Sequence, residues 1–130
     1  MSETRIFVYG SLLPGLHNYS VISPFVATVK PGRIRGRLVD AGPYPALIAD
    51  EWRTVRGMWV TVTSDALPRL DRLEEFYGIE ENNDYERVWT SDVDDPEWSG
   101  WVYIWPHSRG CPVLDTDWWP DVAHGKGIEP

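Results

Sequence analysis

The sequence has 130 residues, of which 42% are hydrophobic, and it carries a formal net charge of −8. Its length predicts one domain, residues 1–130, and its acidity argues against a nucleic-acid partner, whose phosphates it would repel. It contains no apolar run of the ~20 residues that a membrane span requires and no signal-peptide pattern, so we expect a cytoplasmic protein without a membrane partner.

The first predicted element is a short strand near the amino terminus. Residues Arg5 to Tyr9 are a β-branched and aromatic run, which Gly10 interrupts. A strand that ends at a glycine directs unpaired backbone N–H groups past the sheet edge, and such fixed dipoles can hold a carboxylate or stabilise an oxyanion. An ordinary strand-to-turn connection fits the same spacing. A phosphate loop does not, because no Gly-Lys-Ser/Thr follows.

The next part of the chain predicts a turn of helix over 16–20 and a strand over 33–39. That strand alternates, which places Arg33, Arg35 and Arg37 on one face. The three guanidinium groups could bind substrate carboxylates, or they could form a solvated strand face that discourages edge pairing. Residues 40–45 form a loop because they contain two prolines and a glycine, and 46–49 suggest a short strand.

The central part predicts a strand followed by a helix. Residues 55–63 alternate and are rich in β-branched side chains, and Ser64 is a suitable N-cap for the helix after them. The helical spacing of Leu67, Leu70 and Leu73 places Glu74 beside the apolar face and Glu75 toward solvent. A partly desolvated glutamate has a raised pKa that suits proton transfer, although a hydrogen-bonded edge residue is the alternative.

The last third of the chain predicts an acidic loop, two strands and an irregular tail. We place the strands at 85–91 and 100–105, with a turn at 92–99 between them. The tail is rich in glycine, proline and aspartate, and we expect Trp118 and Trp119 to pack it against the sheet. Five to seven strands with one clear helix indicate an α+β fold with a largely β core.

The distribution of charges and of possible metal ligands limits the kinds of substrate and cofactor that we expect. Residues 1–60 carry a net charge of +3 and residues 61–130 a net charge of −11, which leaves room for a small anionic substrate on the basic half. The three histidines are scattered and pair with no cysteine at ligand spacing, so we expect no metal and no cofactor. Cys111, the one cysteine, fits a reducing compartment.

Four segments together resemble the γ-glutamylcyclotransferase-like family. They are the opening Tyr9-Gly10-Ser11-Leu12 with Gly15 and Asn18, then Tyr44-Pro45-Ala46-Leu47, Leu70-Asp71-Arg72-Leu73-Glu74 and Tyr85-Glu86-Arg87. None is specific alone, but they occur in the family's order. The resemblance implies a small mixed β-barrel, closed and flanked by helices.

The resemblance also implies an activity and a set of site residues. Glu74 matches the family's general acid and base, which acts on a small γ-glutamyl amide and yields 5-oxoproline and an amine. The opening loop, formed by Tyr9, Gly10, Ser11 and Leu12, would hold the glutamyl moiety, and Gly10 would lie against the ligand. Either Tyr85 or Tyr103 would orient the Glu74 carboxyl. We expect a monomer or a weak homodimer.

Some residues depart from the family pattern and leave the substrate open. Leu13 replaces a frequent basic residue, Met58 a glutamate, and Glu75 the glycine that usually follows the catalytic glutamate. A non-catalytic module is the alternative, because eight tryptophans are many and aromatic rings on a β surface can stack on sugars. Trp101 and Trp105 share a face of their strand by even spacing, unless they belong to the core.

Overall fold

The computed structural model describes residues 2–16, 18–66, 68 and 85–127. In this part of the chain there are seven strands, two short α-helices and one 3-10 turn, Ser23–Phe25. The strands are β1 (Glu3–Val8), β2 (Val26–Arg35), β3 (Arg37–Asp40), β4 (Pro45–Ile48), β5 (Thr54–Thr63), β6 (Glu86–Ser91) and β7 (Ser99–Ile104). The helices are α1 (Tyr19–Ile22) and α2 (Trp119–Gly125).

Strand β1 is the centre of a five-stranded mixed sheet with the order β2-β5-β1-β7-β6. It runs antiparallel to β5 and parallel to β7. Its side chains alternate between two apolar clusters, since Ile6 and Val8 belong to one and Phe7 and Tyr9 to the other. A strand that is covered on both faces reads as a continuous apolar run, which explains the sequence from Ile6 to Tyr9.

The sheet is not closed into a barrel, so the expectation of a closed barrel was wrong, whereas the α+β fold is confirmed. Among the described strands, β2 pairs only with β5 and β6 pairs only with β7. The hairpin β3–β4 lies beside this sheet and forms a separate two-stranded one. No continuous ladder of hydrogen bonds joins the described residues of the hairpin to the five-stranded sheet. Single hydrogen bonds connect the hairpin to its surroundings, such as the one from Trp105 N–H to Leu47 O at 2.9 Å.

The strand predicted over 33–39 is divided at Gly36, so its interpretation as one strand was wrong. Gly36 has φ +148°, and its N–H donates to Arg53 O at 3.0 Å. A Cβ atom at Gly36 would lie 2.8 Å from Leu47 Cδ2, so both the backbone angle and the space favour glycine. Arg33 and Arg35 therefore belong to β2 and Arg37 to β3, and the three do not share one strand face.

The other predicted strands are confirmed within one or two residues, and β2 is longer than expected. The tail is packed as predicted at Trp119, which is 1% exposed and begins α2. Beyond α2, Lys126 Nζ lies 2.8 Å from Asp40 Oδ1, and this hydrogen bond lowers the pKa of Asp40. Among the described helices, none is both long enough and apolar enough to span a membrane.

A buried carboxylate joins three parts of the sheet. Asp92, directly after β6, is 4% exposed and accepts four hydrogen bonds of 2.8–3.0 Å. Oδ2 accepts from Arg33 N–H and Trp59 Nε1–H, and Oδ1 accepts from the N–H groups of Asp94 and Asp95. Burial alone would raise the pKa of Asp92, but these hydrogen bonds together lower it. We call this arrangement the Asp92 junction.

Candidate active site

A cavity of about 40 Å³ lies where β1 ends. Its described lining consists of the last residues of β1, the turn after it, and residues from the hairpin, from β7 and from the position just before β6. These residues are Phe7, Val8, Tyr9, Gly10, Ser11, Leu12, Tyr44, Pro45, Tyr85 and Tyr103. All six predicted substrate-binding residues are among them. The cavity lining in the described residues is uncharged and contains four tyrosines.

The turn after β1 is closed by short hydrogen bonds. Leu13 N–H donates to Gly10 O at 2.9 Å, and Asn18 N–H donates to Ser11 O at 3.1 Å. The Asn18 side-chain amide also donates to Ser11 Oγ at 2.9 Å, which holds the hydroxyl in one place. The backbone N–H groups of Gly10, Ser11 and Leu12 find no acceptor among the described residues. Donors at the mouth of a cavity that lack a protein acceptor are available to an anionic ligand.

Two of the tyrosine hydroxyls fix the cavity walls. Tyr9 Oη donates to Tyr103 O at 2.6 Å and accepts from Leu47 N–H at 3.2 Å, so it connects β1, β4 and β7. Tyr85 Oη donates to Pro45 O at 2.8 Å. The walls therefore depend on hydrogen bonds between elements that are far apart in the sequence. Rigid walls of this kind suit a site whose donors must be positioned before the ligand binds.

Gly10 is required for a reason that the sequence did not indicate. A Cβ atom at this position would lie 2.9 Å from Pro45 Cγ and 3.0 Å from its Cδ. The structure shows that Gly10 approaches the Pro45 ring, and the approach of its backbone to the ligand stays a prediction. A larger residue would therefore disturb the packing of the hairpin as well as the cavity.

The predicted general acid and base lies outside the described residues. This applies to Glu74, to Glu75 and to the helix expected around them. Among the described residues, no group of three or more His, Cys, Asp or Glu side chains is arranged to hold a metal ion. Tyr44 and Pro45 line the cavity although we did not predict them as site residues. Their place in the Tyr-Pro-Ala segment was the available signal.

The arginine row does not line this cavity. Arg33 Nη2 lies 3.0 Å from Asp94 Oδ1, and Arg35 Nη1 donates to Glu51 O at 3.0 Å. Arg37 lines a different cleft. The three arginines are thus divided among an exposed ion pair, a loop and a second depression of the surface.

The tryptophans do not form a surface platform. Trp59 and Trp105 are buried, and the edge of the Trp89 ring packs against Trp101 with 5.0 Å between the ring centroids. Trp89 is 57% exposed, whereas Trp105 is 6% exposed. The pair Trp101 and Trp105 therefore offers no flat face for a sugar, which removes the main argument for a non-catalytic binding module.

Comparison with known proteins agrees with this site. The family model described as "Gamma-glutamyl cyclotransferase, AIG2-like" matches residues 6–121. The chain is 30% identical to the gamma-L-glutamyl-butirosin B gamma-glutamyl cyclotransferase of Niallia circulans, and the match covers 96% of this chain and 82% of that protein.

Two solved structures show the same fold. An uncharacterised protein from Pyrococcus horikoshii superposes with a TM-score of 0.73 at 14% identity, over 95% of this chain and 96% of that one. An AIG2-like protein from Mus musculus superposes with a TM-score of 0.62 at 20% identity, over 89% of this chain and 88% of that one.

Proposed function

The chain belongs to the family "Gamma-glutamyl cyclotransferase, AIG2-like", and we propose that it converts a γ-glutamyl amide into 5-oxoproline and a free amine. The single observation that carries the proposal is the cavity at the end of β1. Its lining includes the segment that matches the family opening, whose backbone N–H groups have no described acceptor, together with four tyrosines. Such a site suits a small polar group that develops negative charge.

The proposed reaction is an intramolecular acyl transfer. Glu74 takes a proton from the α-ammonium group of the glutamyl moiety, and the freed nitrogen attacks the γ-carbonyl carbon. The new carbon–nitrogen bond closes a five-membered ring, and its carbonyl oxygen carries the negative charge. Collapse of this intermediate breaks the original amide bond, and the Glu74 carboxyl protonates the departing nitrogen. The ring nitrogen then releases its second proton, which the free amine takes up as it becomes an ammonium group. Because nucleophile and carbonyl belong to one molecule, ring closure has a high effective molarity and few protein groups are needed.

The turn after β1 would bind the glutamyl moiety and the developing oxyanion. The N–H groups of Gly10, Ser11 and Leu12 supply fixed dipoles there. The Ser11 hydroxyl accepts from the Asn18 amide, so its own proton remains for the ligand. Backbone N–H groups would therefore stabilise the negative charge of the ligand, which agrees with the lack of a charged side chain in the described lining.

Of the two candidate tyrosines, we favour Tyr103 as the residue that orients Glu74. Tyr85 Oη donates to Pro45 O at 2.8 Å, which fixes Tyr85 as part of the cavity wall. Tyr103 lines the same cavity, is 4% exposed, and is fixed at its backbone by the hydrogen bond from Tyr9. Tyr103 would therefore act as a positioning residue and Tyr85 as part of the wall.

The uncharged lining also supports a substrate class. A γ-glutamyl amino acid carries a second carboxylate on its leaving group, which a nearby cation would stabilise. No cation lines the described part of the cavity. We therefore propose a γ-glutamyl amine or a γ-glutamyl-tagged metabolite as substrate. The named activity of the Niallia circulans relative, on gamma-L-glutamyl-butirosin B, is of this kind.

The test is mass spectrometry of the products from three compounds incubated with the purified protein. We expect γ-glutamyl-butylamide to yield 5-oxoproline and butylamine, and γ-glutamyl-alanine to react more slowly. N-acetyl-γ-glutamyl-butylamide is the control, because its acylated nitrogen cannot attack. Release of glutamate in place of 5-oxoproline, or turnover of the acetylated compound, would show hydrolysis and contradict the proposed cyclisation.

A further inference from the structure

A second cleft, of about 330 Å³, lies between the start of β3, the start of β5 and residues 114–117. It shares no described lining residue with the cavity at the end of β1. Its volume is within the usual range for small-molecule sites, which is about 300–1,000 Å³. Its lining combines an apolar part with charged groups of both signs, and the reaction proposed above uses none of them.

The positive side of the cleft is formed by Arg37 and Arg53. The Arg53 guanidinium forms no hydrogen bond or salt bridge with a described residue, and it acts on Asp50 only at longer range. Arg37 Nη1 lies 3.7 Å from Asp50 Oδ2, whereas Arg37 Nε is buried and has no hydrogen-bond partner among the described residues. Asp50 is already engaged, because its Oδ1 accepts from the N–H groups of Trp52 and Arg53. The positive side of the cleft therefore contains one guanidinium group, that of Arg53, without a carboxylate partner among the described residues.

The negative side contains Asp115 and Asp117, and only one of them has a partner. Asp117 Oδ1 accepts from Arg56 Nε at 3.1 Å, so its charge is balanced. Asp115 is exposed and forms no hydrogen bond or salt bridge with a described residue. The apolar part of the lining consists of Leu38 and Val55, both buried, and the half-buried Leu114.

We propose that this cleft binds a small zwitterion, namely an α-amino acid with an apolar side chain. The carboxylate pairs with Arg53 and with the exposed part of the Arg37 guanidinium group. The ammonium group pairs with Asp115, and the side chain packs on Leu38, Val55 and Leu114. A simple carboxylate would meet Asp115 as a like charge, and a simple amine would meet the two guanidinium groups.

Three probes of similar shape test this proposal. L-Leucine carries both charges, 4-methylpentanoate only the carboxylate, and 3-methylbutylamine only the ammonium group. Each is titrated into the full chain while the backbone amide signals of Leu38, Val55 and Leu114 are followed by NMR. We expect L-leucine to saturate at millimolar concentration and the other two to bind at least about tenfold more weakly, since each lacks one charge contact.

Variants identify the groups responsible. Arg53→Ala and Asp115→Asn should each weaken L-leucine binding about tenfold or more. Arg35→Ala is the matched control, since that guanidinium contacts Glu51 O and does not line the cleft. The proposal is overturned if 4-methylpentanoate binds as well as L-leucine, if Arg53→Ala leaves L-leucine binding unchanged, or if nothing saturates up to about 50 mM. Because the readout is binding, it stands whether or not the cyclotransferase reaction is found.

Discussion

The Asp92 junction and the cavity at the end of β1 use polar groups in opposite ways. At the junction, both oxygens of a buried carboxylate accept two hydrogen bonds each, so the protein itself satisfies every group. At the cavity, three successive backbone N–H groups have no acceptor among the described residues. A satisfied buried network stabilises the fold, whereas donors left without an acceptor are a cost that a ligand can remove.

The comparison separates residues that should affect stability from residues that should affect turnover. Asp92 and the residues that donate to it belong to the first group. Glu74, Tyr103 and the turn after β1 belong to the second group under the proposed function. Each variant described below is expected to change either the free energy of unfolding or kcat and to leave the other nearly unchanged.

The largest expected effect is on turnover. Glu74→Gln keeps the shape of the side chain but removes its proton transfer, so kcat should fall by about 10²–10⁴. The thermal unfolding temperature should stay close to that of the wild type. Glu75→Gln is the matched control and should retain most of the activity. Equal losses in the two variants, measured by 5-oxoproline formation, would contradict the assignment of Glu74.

The next effect is on stability. Asp92→Asn replaces one accepting oxygen by an amide nitrogen, so two of the four donors lose their acceptor in a buried place. We expect the free energy of unfolding to fall by about 3 kcal/mol, measured by denaturant titration. Below the unfolding transition, kcat should be unchanged. Asp94→Asn is the control and should have a much smaller effect, because the Asp94 side chain is 63% exposed.

A smaller effect should distinguish the two tyrosines. Tyr103→Phe removes the hydroxyl proposed to orient Glu74, and we expect kcat to fall about tenfold, with the alkaline limb of its pH profile also displaced. Tyr85→Phe removes the hydrogen bond to Pro45 O and should lower the free energy of unfolding by about 1 kcal/mol. If Tyr85→Phe lowers kcat more than Tyr103→Phe does, the roles are reversed.

The smallest expected effect is a change in the free energy of unfolding with pH. The pKa of Asp92 is lowered in the folded state, so between its folded and unfolded values the unfolded chain binds more protons. Its stabilisation is therefore complete above the ordinary aspartate pKa of about 3.9 and is lost as the pH falls through the lower folded value. The difference in unfolding free energy between wild type and Asp92→Asn should shrink below about pH 4. A difference that grows on acidification would contradict this sign.

The strands were predictable because their cause is local. Alternating or continuous apolar runs such as 55–63 follow directly from the two-residue period of a strand. The division at Gly36 was not predictable in this way, because alternation continues across it and the φ of +148° depends on contact with Leu47. The same applies to Asp92, which stands in the predicted turn at 92–99. Its burial depends on Trp59 and Arg33, which are distant in the sequence.

The candidate site was predictable in part for a related reason. The turn after β1 could be predicted from the glycine that ends an apolar strand. Tyr85 and Tyr103 were predicted as site residues from the family resemblance. The contact of Gly10 with Pro45 and the hydrogen bond from Tyr85 to Pro45 O could not be read from spacing. Both depend on where the hairpin β3–β4 lies against the sheet.

The sheet order also bears on how the chain reaches its fold. Strand β1 precedes the other described strands in the sequence, yet it is central, and its parallel neighbour β7, the last of these strands, pairs with it through Ile6 and Trp101. The sheet around β1 therefore cannot be completed until β7 is available. Pairing over so large a sequence separation is slow because loop closure must precede it, and folding in milliseconds to seconds is typical of such topologies. Before β7 pairs with β1, the edge of β1 that will contact β7 stays exposed. Its apolar residues are then a site where chaperones can bind or aggregation can begin.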